Sequence, residues 1–282
     1  MFAAYWNLKA NPFLNLEDLR YLYSVDQHAE AVARFSYLAE QGRTGGILCG
    51  PSGVGKSILL RHIATTVASR HRLPLIHMDA IPDGHLPLAR HIQLHMNIEG
   101  PTDTMADTLI NFRHAIECAP DTLNRTLLCL DEAHHLSDPE GLHLIQYLSN
   151  LRIPDRRSQG PSPLFTMILV GTADFLQAVQ AWPSLAQRMH MVVRLKPLSR
   201  QHAIAYIQQH MRAVGGDLWV FDHAALDVIY RVSEGLPRKI NLLCDISLML
   251  GFAAKAEQIT ESIVEQAVRD SGLTLPAAKE DV

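Results

Sequence analysis

Apolar residues follow two regimes along the chain. Up to Pro197, short apolar runs alternate with stretches of helical period; beyond it only the helical period remains. From Asp26 to Gln41, residues Ala29, Val32, Ala33, Phe35, Leu38 and Ala39 recur at helical spacing, with Asp26 placed to cap the helix. Gly45 and Gly46 then break the chain, and Ile47-Leu48-Cys49 predicts a short strand. A glycine-rich turn leads into a predicted helix over Ser57–Arg70. Further strands are predicted at Leu75–Met78, Leu127–Leu130, Leu164–Val170 and Met191–Leu195. Between them lie helices over His85–His95, Met105–Cys118, Pro139–Leu151 and Ala173–Gln180. Apolar strands alternating with helices predict an α/β domain, a parallel sheet of about five strands covered by helices on both faces.

The second regime predicts helices over Arg200–Val214, His223–Ser233, Pro237–Ala256 and Thr260–Asp270. Ser199 and Thr260 suit N-caps, and Glu261 and Glu265 add favourable charge near a helix start. The expected organisation is an N-terminal segment over 1–25, an α/β domain over 26–197, a small all-helical domain over 198–272 and a flexible tail over 273–282. There is no internal repeat and no low-complexity stretch.

The strongest chemical signal sits between the first strand and the next helix. Gly50-Pro51-Ser52-Gly53-Val54-Gly55-Lys56-Ser57 fits G-x-x-x-x-G-K-[ST] at every fixed position. Glycines let successive backbone N–H groups turn inward as an anion nest, and the following helix points its positive end at the bound phosphates. Lys56 supplies a point charge to the β and γ phosphates, and the Ser57 hydroxyl is a ligand for Mg²⁺. A second signal ends the strand at Leu127–Leu130, where Asp131-Glu132 follows four apolar residues. The carboxyl ends of such strands are where open α/β sheets bind ligands. Asp131 would hold the Mg²⁺ shell, and Glu132 would polarise a water against the γ-phosphate.

Composition narrows the rest. Apolar residues make up 48% and charged residues 19%, which supports a sizeable core. The formal net charge of −4 argues against a histone-like, charge-driven nucleic-acid binder, though a local basic patch still suits phosphate. One such patch is the expected loop from Leu151 to Pro163, with Arg152, Arg156 and Arg157. It suits a DNA phosphate, a neighbouring subunit or plain solvent. No run of 18 apolar residues predicts a membrane span, and the start has no signal-peptide pattern, so a cytoplasmic setting is expected. Cys49, Cys118, Cys129 and Cys244 show no CxxC spacing and read as buried, reduced thiols acting as small hydrophobes. His91 and His95 share a helix face without an acidic or cysteine partner at ligand spacing, so no metal site is expected there.

With these segments in place the chain resembles the AAA+ ATPases, and among them the ExeA/GspA-like family, related to transposition-helper ATPases of the TnsC/TniB type. The resemblance rests on Tyr5-Trp6-Asn7-Leu8 with Asn11-Pro12-Phe13, on Gly50–Ser57, on Leu127–His134, on Val170-Gly171-Thr172, on Leu185–Arg188 and on Gly235–Asp245. It implies that the helical domain is a lid, that the substrate is ATP with Mg²⁺, and that the chain works as a homo-oligomeric ring or filament. It implies a sensor role for Thr172, an arginine finger acting on a neighbouring subunit for Arg188, and a second sensor contact to phosphate for Arg238. Tyr5 and Phe13 would either border the adenine or dock the N-terminal segment. The implied task is secretion or pilus-type assembly, or help to a DNA transposase, with a secretion component or a transposase as partner protein and DNA as a further candidate. The alternative is a nucleotide-dependent DNA- or protein-binding regulator with negligible turnover, against which Glu132 argues. A small-molecule P-loop kinase is a third class, disfavoured by the helical domain.

Overall fold

The computed structural model describes residues 2–14, 18–80, 84–154 and 160–274. In chain order the regular elements are helix α1 (Phe2–Tyr5), helix α2 (Asp26–Glu40), strand β1 (Gly45–Cys49), helix α3 (Lys56–His71), strand β2 (Leu75–Asp79), and helices α4 (His85–His95) and α5 (Met105–Cys118). Then come strand β3 (Thr126–Asp131), helix α6 (Pro139–Asn150), strands β4 (Arg152–Pro154), β5 (Pro161–Pro163) and β6 (Phe165–Gly171), helices α7 (Ala173–Gln180) and α8 (Pro183–Ala186), and strand β7 (Met189–Arg194). Helices α9 (Arg200–Ala213), α10 (His223–Ser233), α11 (Pro237–Ala253) and α12 (Glu261–Ser271) complete the series. Contacts divide the chain into two compact units: residues 26–51 with 59–195, and residues 1–25 with 52–58 and 196–282.

The α/β unit is built on one parallel sheet, in the order β2-β3-β6-β1-β7. Its inner strands are buried along their whole length, as continuous apolar runs in a parallel sheet should be. Local signals set the helix starts. Thr104 and Asp107 form a reciprocal capping box on α5, each accepting the other's backbone N–H at 3.1 Å. Asp138 caps α6 by accepting the Gly141 N–H at 2.7 Å, with Pro139 in the first turn.

The second unit packs α9 to α12 around a core that includes Trp6, Phe13, Tyr206, Ile229, Leu243 and Val268. The N-terminal segment belongs to this core. Trp6 Nε1 donates to Leu248 O at 2.9 Å, and Asn11 Nδ2 donates to Asp245 Oδ1 at 2.7 Å. Phe13 is 2% exposed and stacks parallel to the His210 ring, whose Nδ1 lies 2.8 Å from Pro12 O. Of the two roles open to Phe13, this is docking. Tyr5 is exposed, and its hydroxyl donates to Ala256 O.

Three expectations need correction. The stretch from Leu151 to Pro163 is not wholly loop: β4 and β5 pair as an antiparallel ribbon, Ile153 opposite Ser162. Arg156, Arg157 and the tail beyond residue 274 lie outside the described residues. Thr260 precedes α12 but makes no side-chain cap; its hydroxyl pairs with Ser262 Oγ at 3.0 Å instead. Cys118 is exposed, whereas the other three cysteines are buried. Ser199, by contrast, caps α9 on the His202 N–H. His91 and His95 are exposed, and among the described residues no group of three metal-type side chains gathers. No helix among them is long and apolar enough to cross a membrane.

Candidate nucleotide site

The parallel sheet brings several of the expected residues to one edge of the α/β unit. Cys49 is level with Gly171, and Leu130 with Leu169, so β1, β3 and β6 end together. Asp131 is the last residue of β3, and Gly50, Glu132 and Thr172 are the next residues out at the carboxyl edge, where open sheets place ligands. β3 lies two strands from β1, with β6 between them.

Asp131 is 4% exposed. Its Oδ1 accepts the backbone N–H of Glu132 at 2.8 Å, and its backbone carbonyl accepts from Ala80. Glu132 is turned out of the strand in the left-handed region, at φ 48° and ψ 34°. Its carboxylate Oε2 lies 3.1 Å from Nδ1 of His134. Thr172 accepts the Phe175 N–H on its hydroxyl at 3.4 Å as the N-cap of α7. Capping uses a lone pair of that oxygen and leaves its O–H free to donate.

Arg188 follows α8. Its Nε is closed to solvent and has no hydrogen-bond partner among the described residues. Arg152 points a guanidinium nitrogen to the end of α6, donating to Ser149 O at 2.7 Å and Leu151 O at 3.1 Å. Burial lowers its pKa, and the neighbouring positive charge of Arg188 lowers it further. One arginine of the basic stretch thus caps its own helix, and it stands within electrostatic reach of Arg188.

Ser52 to Ile58 group with the helical unit. Gly53 and Gly55 have φ of +77° and +98°, a region side chains disfavour. Gly53 O accepts the Arg238 backbone N–H at 3.2 Å, and a Cβ on Gly53 would stand 2.8 Å from the Arg238 Cβ. The loop glycine therefore lets the start of α11 approach, while the Arg238 side chain is exposed. Lys56 opens α3 and is 8% exposed. Oxygen donors of the Ser57 hydroxyl and Asp131 carboxylate type suit a hard cation such as Mg²⁺.

A glycine loop between strand and helix, with an acidic pair ending a strand of the same parallel sheet, defines a P-loop nucleotide-binding protein. The comparisons refine the class. The family model described as AAA domain matches residues 39–179, half of the chain, and the chain belongs to that family. General secretion pathway protein A of Aeromonas hydrophila is 26% identical over 96% of the chain, which spans half the length of that relative. In fold the chain is similar to Cdc6p of Pyrobaculum aerophilum (TM-score 0.68, 14% identity, 92% of this chain and 70% of that one). It is also similar to the Aeropyrum pernix ORC2 protein, determined as ADPNP–ADP complexes (0.63, 18%, 86% and 66%). A Thermotoga maritima RuvB variant gives 0.59 at 16% identity, covering 92% of this chain and 73% of that one. The chain is thus an AAA-family protein related to a general secretion pathway protein. His134 was not singled out in the sequence; its one signal was its place two residues behind the acidic pair.

Proposed function

We propose that the chain binds and hydrolyses ATP as an oligomeric switch or motor in secretion-type assembly, in a cytoplasmic setting. The observation that carries this reading is that Gly50, the first residue of the G-x-x-x-x-G-K-S motif, and Asp131-Glu132 lie at the carboxyl edge of one sheet. Backbone N–H groups from Gly50 through Gly55 and the start of α3 would cradle the phosphates, and Lys56 would set its charge against the β and γ groups. Ser57 and Asp131 would hold Mg²⁺, which when bound neutralises phosphate charge. Glu132 would take a proton from the attacking water as the water oxygen bonds to the γ-phosphorus and the bond to ADP breaks. Thr172 would donate its O–H to that water or to the γ-phosphate. Arg238 would contact phosphate in its own subunit. Arg188 would act as a finger reaching the nucleotide of a second copy.

The secretion assignment is supported by the likeness to General secretion pathway protein A. The first test is ATP binding and turnover by Lys56→Ala and Glu132→Gln. The lysine variant should lose binding. The glutamine variant should bind ATP and stop hydrolysing it. Hydrolysis at the wild-type rate by both would end these residue roles, and no ATP turnover by the wild-type chain would end the ATPase reading. Stimulation of turnover by duplex DNA, with no response to secretion components, would move the task to the transposition-helper alternative.

A further inference from the structure

Glu132 carries a backbone conformation that a glutamate adopts rarely, and the structure shows what it accomplishes. Residues two apart do not face each other on a helix, and in a strand they are separated along one face. Here the left-handed turn at Glu132 runs directly into a 3₁₀ turn over Ala133–Leu136. The two together fold residue 134 back on residue 132, so that His134 Nδ1 stands 3.1 Å from Glu132 Oε2. The contact is attractive with a proton on Nδ1, whereas two acceptors would repel. The Nδ1 atom is closed to solvent, and its approach to the carboxylate is at ion-pair distance without the alignment of a full hydrogen bond. A shielded donor of this kind draws the carboxylate towards it, because leaving it unmet is costly.

The platform beneath the histidine is fixed. Ala133 and Leu136 are fully buried, and the His134 carbonyl accepts from both the backbone N–H (3.2 Å) and the hydroxyl (2.7 Å) of Ser137. The His135 ring lies against that of His134, centroids 4.4 Å apart. Glu132 itself is loosely held: its carboxylate is 47% exposed and His134 is the partner recorded for it. A half-exposed pair adds little to stability, so the contact itself is not explained by fold energy.

We propose that His134 is a positioning residue that fixes the Glu132 carboxylate in the orientation that activates water. This rests on the reading of Glu132 as the base. A long, exposed side chain samples several rotamers, and holding the productive one by a neighbour on a rigid turn raises the fraction of bound ATP that faces an aimed carboxylate. The residue does not touch ATP, so affinity is set elsewhere.

The test uses the full chain and steady-state ATP hydrolysis. His134→Phe should lower kcat about tenfold or more, within the range ascribed to a general base, while ATP affinity stays within about twofold. His134→Asn places an amide N–H where Nδ1 stands and should recover kcat to within about threefold of wild type. His134→Gln places its amide where Nε2 stands and should not recover. In a Glu132→Gln background, His134→Phe should change nothing further, because the two act as one unit. If Glu132→Gln is inactive but His134→Phe turns over at the wild-type rate, positioning is wrong and the Glu132 reading survives. If Glu132→Gln keeps its rate, the Glu132 reading itself falls. Should His134→Phe melt early, the comparison of the two amide variants decides. Equal rates for Asn and Gln would overturn the proposal.

Discussion

Gly235 offers a direct measurement of how tightly the helical unit is built around the segment Gly235–Asp245. Its φ is +76°, and a Cβ placed there would stand 2.0 Å from the carbonyl oxygen of Leu198, far inside van der Waals contact. The same two residues are joined by a hydrogen bond, Leu198 N–H donating to Gly235 O at 2.9 Å. Leu198 therefore cannot withdraw without breaking it. Gly235→Ala should cost about 1–2 kcal/mol for a left-handed alanine. Repacking against a fixed backbone oxygen adds about 1–3 kcal/mol, and the strained or lost hydrogen bond about 1 kcal/mol. The sum is roughly 3–6 kcal/mol, a large part of an ordinary domain's stability. Gly272 is the matched control. Its φ is +70° and nothing lies within 4 Å of a Cβ there, so Gly272→Ala carries the backbone cost alone. Urea unfolding of the full chain, followed by tryptophan fluorescence, reads both, since Trp6 is buried in this unit. The alanine at 235 should lose about 2–4 kcal/mol more than the one at 272. Equal losses would mean that Leu198 gives way freely and that the segment is not tightly seated.

Other outcomes follow from the same contacts. Arg188→Ala should lower turnover by on the order of 10³ with much less effect on ATP affinity, and mixing it with Lys56→Ala under subunit exchange should restore activity. No recovery, with activity per subunit independent of concentration, would make Arg188 a surface charge. Trp6→Ala removes a buried indole and its bond to Leu248 O, and should cost about 3–5 kcal/mol in urea unfolding followed by far-UV circular dichroism. A loss below about 1 kcal/mol would mean that the N-terminal segment is only loosely docked. His210 gives a pH dependence. Burial lowers its pKa from 6.5, partly offset by backbone hydrogen bonds to Pro12 and Tyr21. The unfolded chain then binds the proton first, so His210's contribution to stability is full above pH 6.5 and falls as pH drops towards its folded pKa. His210→Asn keeps a donor for Pro12 O and should flatten part of the decline between pH 7 and 5. His71, also lowered chiefly by burial, contributes in the same direction. An unchanged slope would show that His210 binds its proton alike in the folded and unfolded chain.

The elements legible in the sequence are those with one dominant physical cause. His85–His95, Met105–Cys118, Ala173–Gln180 and His223–Ser233 fold over the lengths their periodicity predicts. The β4–β5 ribbon was not legible because Pro154, Pro161 and Pro163 withhold N–H groups and read as loop. Three-residue strands also give periodicity too little length to register. Thr260 looks like a cap by type, but Ser262 competes for its hydroxyl, and residue type alone does not settle such a competition.

The same distinction runs through the site. The phosphate loop is legible because fixed spacing encodes its backbone: Gly53 and Gly55 need positive φ, and no other residue adopts it at so little cost. Arg152 reads as one more charge in a basic stretch, yet in the fold it is taken up by the carbonyls ending α6. Its partners are backbone atoms, which carry no residue signature. The His134–Glu132 contact is harder still to read. It depends on a left-handed glutamate, a state that propensity disfavours and that only the fold around Asp131, Ala133 and Leu136 imposes. Local rules fail at Glu132 because the residue is held against its preference. Residues held in that way concentrate where orientation matters more than stability. That is the reason to look for function in the turn after β3, where the His134–Glu132 contact adds little to stability.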